Sequence, residues 1–317
     1  MSGLGRKILL SVAFGAVVYL ALTVYGQSGA VAAAMTSFRW PYIPLLLGLA
    51  CMNYFTRFLK WHYYLHLLHV RLPVRQSLAV FLSGLVMTVT PGKMGEVLKS
   101  FLLKEMNGTA VSETAPVVLA ERMSDLVALV ALTFVGLATV GLGLKAPLIG
   151  LGLVATGMLV VSQRGLSLGA IGLLERLSFA RTTAERLRRA YESISCLLRL
   201  NVMCVATLIS VPAWFWECLA FYFALRGFGA TLPVLQATSI YGFSSVAGAL
   251  SMLPGGLGVM EGSLAGLLRG SGVARPEAVG ATLIIRACTL WFAVAVGAAA
   301  MAWARSFLPS PKKAEAR

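Results

Sequence analysis

"SLAVFLSGLVMTVTPGKMGEVLKSFLLK", residues 77–104, decides how this chain is read. It begins as a membrane helix would, then meets Pro91, Gly92, Lys93, Gly95 and Glu96 where further apolar residues are expected. Proline removes a backbone donor and glycine permits a tight turn, so the helix stops there. The helix that resumes has only about a dozen residues, too few to cross a bilayer core that needs roughly 20. The stretch therefore reads as a re-entrant hairpin.

The pattern recurs. "PGKMGEVLKSFLL" (91–103) is echoed by "PGGLGVMEGSLAGLL" (254–268), with Pro254, Gly255, Gly256 and Gly258 in the break and Glu261 behind it. Each break is followed by an arginine inside the next long apolar run, Arg122 at 31 residues beyond Pro91 and Arg286 at 32 beyond Pro254. Matched features in two halves, about 40–142 and 200–305, predict an internal duplication. The regions 76–104 and 233–269 are both expected to be hairpins, although the first arm of the second is long enough for a full crossing.

Composition sets the class around these motifs. Of 317 residues 58% are hydrophobic and 12% charged, and mean hydropathy is +0.82. A soluble domain of this size carries far more polar surface. The apolar runs are continuous rather than alternating, which argues against a barrel. Spans are predicted at 8–25, 42–59, 116–142, 146–161, 202–225 and 277–303. The fold class is all-α: a polytopic helical bundle forming one transmembrane domain over 1–317, with two inverted repeats.

The lysines and arginines orient it. With the N-terminus inside, most of the 27 basic residues fall on the cytoplasmic side, including Arg57, Lys60, Lys99 and seven arginines between 164 and 199. Both termini are then cytoplasmic, in a bacterial or archaeal inner membrane. The first hairpin enters from the cytoplasm and the second from outside. The formal charge of +15 suits anionic headgroups better than nucleic acid, because the basic residues are spread along membrane-flanking loops. Residues 163–200, with Leu173, Leu177, Ile194 and Leu197 among arginines, predict amphipathic helices on the cytoplasmic face.

Ionised side chains inside a bilayer cost on the order of 3 kcal/mol each and normally face a partner or a cavity. "LAERMSD" places Glu121, Arg122 and Asp125 within one turn of helix. Arg286 has no carboxylate within a turn of its own helix, so its partner is expected to be Glu96 or Glu261. Lys93 is matched in the second half by Gly256, which makes it the leading candidate for headgroup contact. A half-helix that starts at mid-membrane presents free N–H groups suited to phosphate. Opposed half-helices around a midplane site are a transporter arrangement.

The motifs "TPGKMGEVLKSFLLK", "LAERMSDLVALVAL", "LPGGLGVMEGSLAGLL" and "ATLIIRACTLWF" together resemble the flippase-like family, the transmembrane domain of lysylphosphatidylglycerol synthases and of many stand-alone prokaryotic membrane proteins. The resemblance runs from about residue 5 to 305 and implies movement of a phospholipid or polyprenyl-linked lipid between leaflets. Lys93, Glu96, Glu121, Arg122, Glu261 and Arg286 fall on the family's motif positions. Lysine stands at 93 and 99 where arginine is frequent, which keeps charge but loses bidentate phosphate contact. No aminoacyl-transferase domain is expected after "SFLPSPKKAEAR", hence no lysyl transfer.

The sequence thus predicts a lipid translocase, not an enzyme, with no cofactor. Its expected partner is a lipid with an anionic or polyprenyl-phosphate headgroup; a lipid-biosynthetic enzyme and a second copy are further candidates, and small residues such as "AVGAAAMA" (295–302) allow close helix packing within the chain or between copies alike. The alternatives are a membrane glycosyl- or phosphotransferase using Glu96 or Asp125 as base, and a non-transporting lipid-binding partner. His62, His66 and His69 share a helix face, but the aromatic residues around them suggest an interfacial belt, and no metal site is predicted. The five cysteines show no paired spacing and read as core residues.

Overall fold

The computed structural model describes residues 17–90, 95–136 and 181–308, with isolated positions between 148 and 156. Pro91, Gly92, Lys93, Leu173, Leu177 and nearly all of the expected span 146–161 lie outside the described residues. Among those described, every regular element is helical.

Two short helices open the described chain: α1 (Val17–Tyr25) and α2 (Ser28–Ser37) meet at 92°. The corner is Gly26–Gln27, with Gln27 at φ 64. Helix α3 (Tyr42–Leu67) follows and has 26 residues, about 39 Å at 1.5 Å per residue. It outruns the expected span 42–59 because Trp61, Tyr64 and Leu65 are fully buried and continue its packed face. His62 and His66 consequently lie within the long helix, on its exposed side, and not beyond its end.

The first break unfolds as α4 (Val74–Gly84), a 3-10 turn (Leu85–Val89), and, past the break, α5 (Leu98–Asn107). Helix α6 (Val111–Val135) runs for 25 residues with Glu121, Arg122 and Asp125 in its body. Helix α7 (Arg181–Leu197) is the described part of the amphipathic segment. It buries Ile194 and Leu197, while Arg188 and Glu192 pair on its exposed face. Its Arg189 reaches Glu113 at the start of α6.

Helix α8 (Leu200–Gly227) has 28 residues and is the second helix long and apolar enough to cross a membrane. The second break comprises α9 (Val234–Leu250), the turn Pro254–Gly256, and α10 (Val259–Gly270). Finally α11 (Arg275–Arg286), a π-helical turn (Ala287–Trp291) and α12 (Phe292–Arg305) form one 31-residue apolar helix.

The packing is reciprocal. Helices α3 and α8 lie along each other; α4 packs on α12, and α9 packs on α6. Each half thus lends the first arm of its broken element to the long helix that follows the other half's break. Glycine makes this close approach possible: a Cβ on Gly297 of α12 would overlap the backbone of Val86, and one on Gly136 would overlap the Leu235 carbonyl. The tips of the two breaks meet at a buried cluster of Val89, Leu257 and Leu290.

Candidate functional site

Between the two breaks lies a cavity of about 360 Å³. Its polar wall combines Tyr54 and Arg57 of α3, Arg122 and Asp125 of α6, Glu217 of α8, Tyr241 and Ser245 of α9, and Arg286 of α11. The exposed Met252 and Leu253 form its rim. Both halves therefore contribute charge to one space.

On the side of the first half the charges form a network. Asp125 Oδ1 sits 2.5 Å from Lys60 Nζ and accepts from Ser210 Oγ at 3.1 Å, so α3, α6 and α8 are tied at one carboxylate. Lys60 also donates to Ser124 and Ser210 and is 0% exposed. Asp125 Oδ2 faces Arg122 at 3.3 Å and Arg57 at 4.0 Å. Arg122 reaches on to Glu96 at 3.4 Å. Lys99 pairs with Glu121 at 2.6 Å and approaches Glu96 at 3.7 Å. Its ammonium lies 4.5 Å from the Trp61 ring centroid, and its stem runs across Gly84, where a Cβ would collide with it.

On the side of the second half the break is locked. Arg286 Nε donates to Glu261 Oε1 at 2.6 Å, NH2 donates to the Gly255 carbonyl at 2.6 Å, and NH1 meets Met260 Sδ at 3.1 Å. The other oxygen of Glu261 accepts from the Gly258 N–H at 2.7 Å, which caps α10. Gly255, Gly256 and Gly258 have φ of 61, 67 and 90, a conformation that glycine adopts without strain. The Pro-Gly-x-x-Gly, glutamate and distant arginine are thus three parts of one turn: the glycines make it, and the two charged residues satisfy the backbone it exposes.

The two breaks are not equivalent. In the first, the Gly95 N–H is bound by the Thr90 hydroxyl at 2.9 Å, and Glu96 pairs with Arg122 and Lys99. Arg286 is fully engaged, with its side chain 5% exposed; that of Arg122 is 21% exposed toward the cavity. The Nε atoms of Arg57 and Arg122 and the Ser245 hydroxyl are buried without a hydrogen-bond partner among the described residues. All three residues line the cavity, and an anion or water is the natural complement of such donors.

Of the residues expected from the sequence, Arg122, Asp125, Arg286, Gly255 and Gly256 line the cavity, Glu96 and Glu121 hold its basic groups, and Glu261 pins the second break. The partner of Arg286 is Glu261, not Glu96. Arg57, Lys60 and Lys99, expected among the cytoplasmic basic residues, are instead buried within the network. Their nearness to the end of an apolar run or to the first break concealed a position that only their distant partners reveal. Glu217 was also missed, although a lone glutamate inside "PAWFWECLAFYFAL" (212–225) is itself a signal.

Residues 8–297 match the sequence model of the family described as the lysylphosphatidylglycerol synthase TM region. A UPF0104 membrane protein of Methanothermobacter thermautotrophicus is 28% identical over 223 residues, covering 64% of this chain and 66% of the relative. A UPF0104 membrane protein of Methanocaldococcus jannaschii is 26% identical over 242 residues, covering 74% of this chain and 98% of the relative. With a match over most of its length, a stretch that spans both breaks, the chain belongs to the family of the lysylphosphatidylglycerol synthase transmembrane region.

Proposed function

We propose that this protein moves a phosphate-bearing lipid between leaflets, with the headgroup passing through the cavity while the acyl chains trail in the bilayer. The observation that carries the reading is the pair of arginines, Arg57 of α3 and Arg122 of α6, that line one cavity. Arginine offers phosphate a planar fork of donors, and a site shielded from water strengthens each contact. The apolar rim at Met252 and Leu253 suits the start of the acyl chains.

The reciprocal packing of α4 on α12 and α9 on α6 supports two repeats of opposite orientation, each with a re-entrant broken helix. In that arrangement both termini are cytoplasmic in the inner membrane, and the breaks rock to open the cavity to either side. The protein acts without chemical change to the lipid.

Reconstituted protein is expected to accelerate exchange of fluorescent phosphatidylglycerol between leaflets, with unchanged lipid by mass spectrometry. A new lipid product would favour a membrane transferase, and absence of exchange would remove the translocase reading.

A further inference from the structure

The seam between the two break tips has a cover. Leu290 lines the cavity and joins Val89 and Leu257 in the cluster where the tips meet. Val18 and Tyr19 of α1 pack on the same cluster, beside Trp291 and Val294. Among the described residues no part of α1 lines the cavity, so the helix sits on the outer side of the tips. Its other face, Val17, Leu20 and Val24, is 63%, 67% and 66% exposed, as an apolar surface against lipid is. From inside outward the order is cavity, tip cluster, α1, lipid.

Helix α1 is held unevenly along its length. At its C-terminal end the Tyr25 hydroxyl accepts from Arg269 at 2.8 Å, and the Arg275 guanidinium lies 4.9 Å from the Tyr25 ring centroid. The 92° corner follows at once, and α2 beyond it is anchored by buried Val31 and Ala34. Over the tips the tie is lighter. Trp291 Nε1 donates to the Tyr19 hydroxyl at 2.6 Å, with the two rings edge to face at 6.1 Å, and the same hydroxyl faces the Arg286 guanidinium. The rest of that contact is apolar, and lipid tails replace an apolar contact at little cost. Release is therefore easy over the tips and hard at the corner.

A lipid that crosses with its tails in the bilayer needs the seam open to lipid. Parting the tips alone opens the cavity onto α1. We infer that α1 is the lateral gate of the seam: it swings about the Gly26–Gln27 corner, gives up the Tyr19–Trp291 hydrogen bond, and admits the acyl chains between the tips. The inference rests on the translocation reading and adds to it the element that reseals the cavity between turnovers.

The test is leaflet exchange of fluorescent phosphatidylglycerol by the full chain in vesicles. Trp291→Phe keeps an aromatic ring and removes the donor, so exchange should rise by about three- to tenfold, the worth of one hydrogen bond. A tie that merely holds the fold would leave exchange unchanged or lower it. In a cysteine-free protein that retains wild-type exchange, Tyr19→Cys and Trp291→Cys joined by a short bis-maleimide with a reducible disulfide should stop exchange, and reduction should restore it. The same reagent joining Tyr25→Cys to Arg275→Cys, at the hinge end, should leave exchange as it was. Exchange that continues with 19 and 291 joined overturns the gate, as does a Trp291→Phe variant no faster than wild type. A block at both places overturns the hinge at the corner. Either result leaves the translocase standing, whereas absence of exchange in wild type would remove the translocase and the gate with it.

Discussion

Two arginines at similar places in the two halves do different work. Arg286 is held by a carboxylate, a carbonyl and a sulfur, so Arg286→Ala strands Glu261 at 0% exposure and opens the second break. Removing one partner of a buried pair costs about 3–5 kcal/mol, so the variant should show a sharply lower melting temperature before any assay of transport. Arg122→Ala removes a side chain 21% exposed in the cavity and leaves Glu96 with Lys99 and Asp125 with Lys60, so it should instead keep its fold and slow phosphatidylglycerol exchange by about 10- to 100-fold, the worth of a charge-assisted phosphate contact. Equal loss of stability in the two variants would contradict this division. The pair Lys99–Glu121 offers a cleaner energetic test. Lys99→Met should destabilise by about 3–5 kcal/mol, and adding Glu121→Gln should recover part of it, because the stranded charge is gone. A double variant no more stable than the single would show that the pairing is not what matters there.

Among the elements, the broken helices are held chiefly by close approach and polar ties. Lipid tails are as apolar as leucine, so burying an apolar face gains little inside a bilayer, and packing contacts and interhelical hydrogen bonds carry more of the association. Gly297 is where α12 touches the 3-10 turn Leu85–Val89, and its missing side chain is the space that the Val86 backbone fills. Gly297→Ala should push these elements apart and destabilise by about 1–3 kcal/mol, as overpacking does. Gly266→Ala on α10, with nothing near its Cβ position, is the neutral control. Thermal melts of the two variants in detergent decide it, and equal melting temperatures would count against the contact.

At the scale of the molecule, the two break tips share the buried cluster of Val89, Leu257 and Leu290. If the breaks move apart to pass a headgroup, cysteines replacing Val89 and Leu257 should cross-link, stop exchange, and recover it on reduction. Exchange that continues in the cross-linked protein would show that the tips do not need to separate. Opposite orientation of the halves is tested by single cysteines at His69 and Gly229, which lie at corresponding turns before α4 and α9. An impermeant thiol reagent should reach the first from the cytoplasm and the second from outside; labelling from one side only would remove the inverted repeat.

The sequence by itself determined the class, the two breaks and most of the charged residues, because each of these is a local contradiction. A proline, a glycine or an ionised group in an apolar run is visible without knowing what surrounds it. Glu96, Glu121, Arg122, Asp125, Glu261 and Arg286 were legible for that reason. Only the tertiary structure decided who pairs with whom. Lys60 meets Asp125 across 65 residues, Ser210 meets Asp125 across 85, and Arg286 meets Glu261 across 25. Arg57 and Lys60 stand at the end of the apolar run 42–59 and Lys99 just past the first break, where basic residues ordinarily mark the membrane surface, and nothing local distinguishes that from burial. Pairing is a property of helix packing, and the chain writes only one side of each pair at a time.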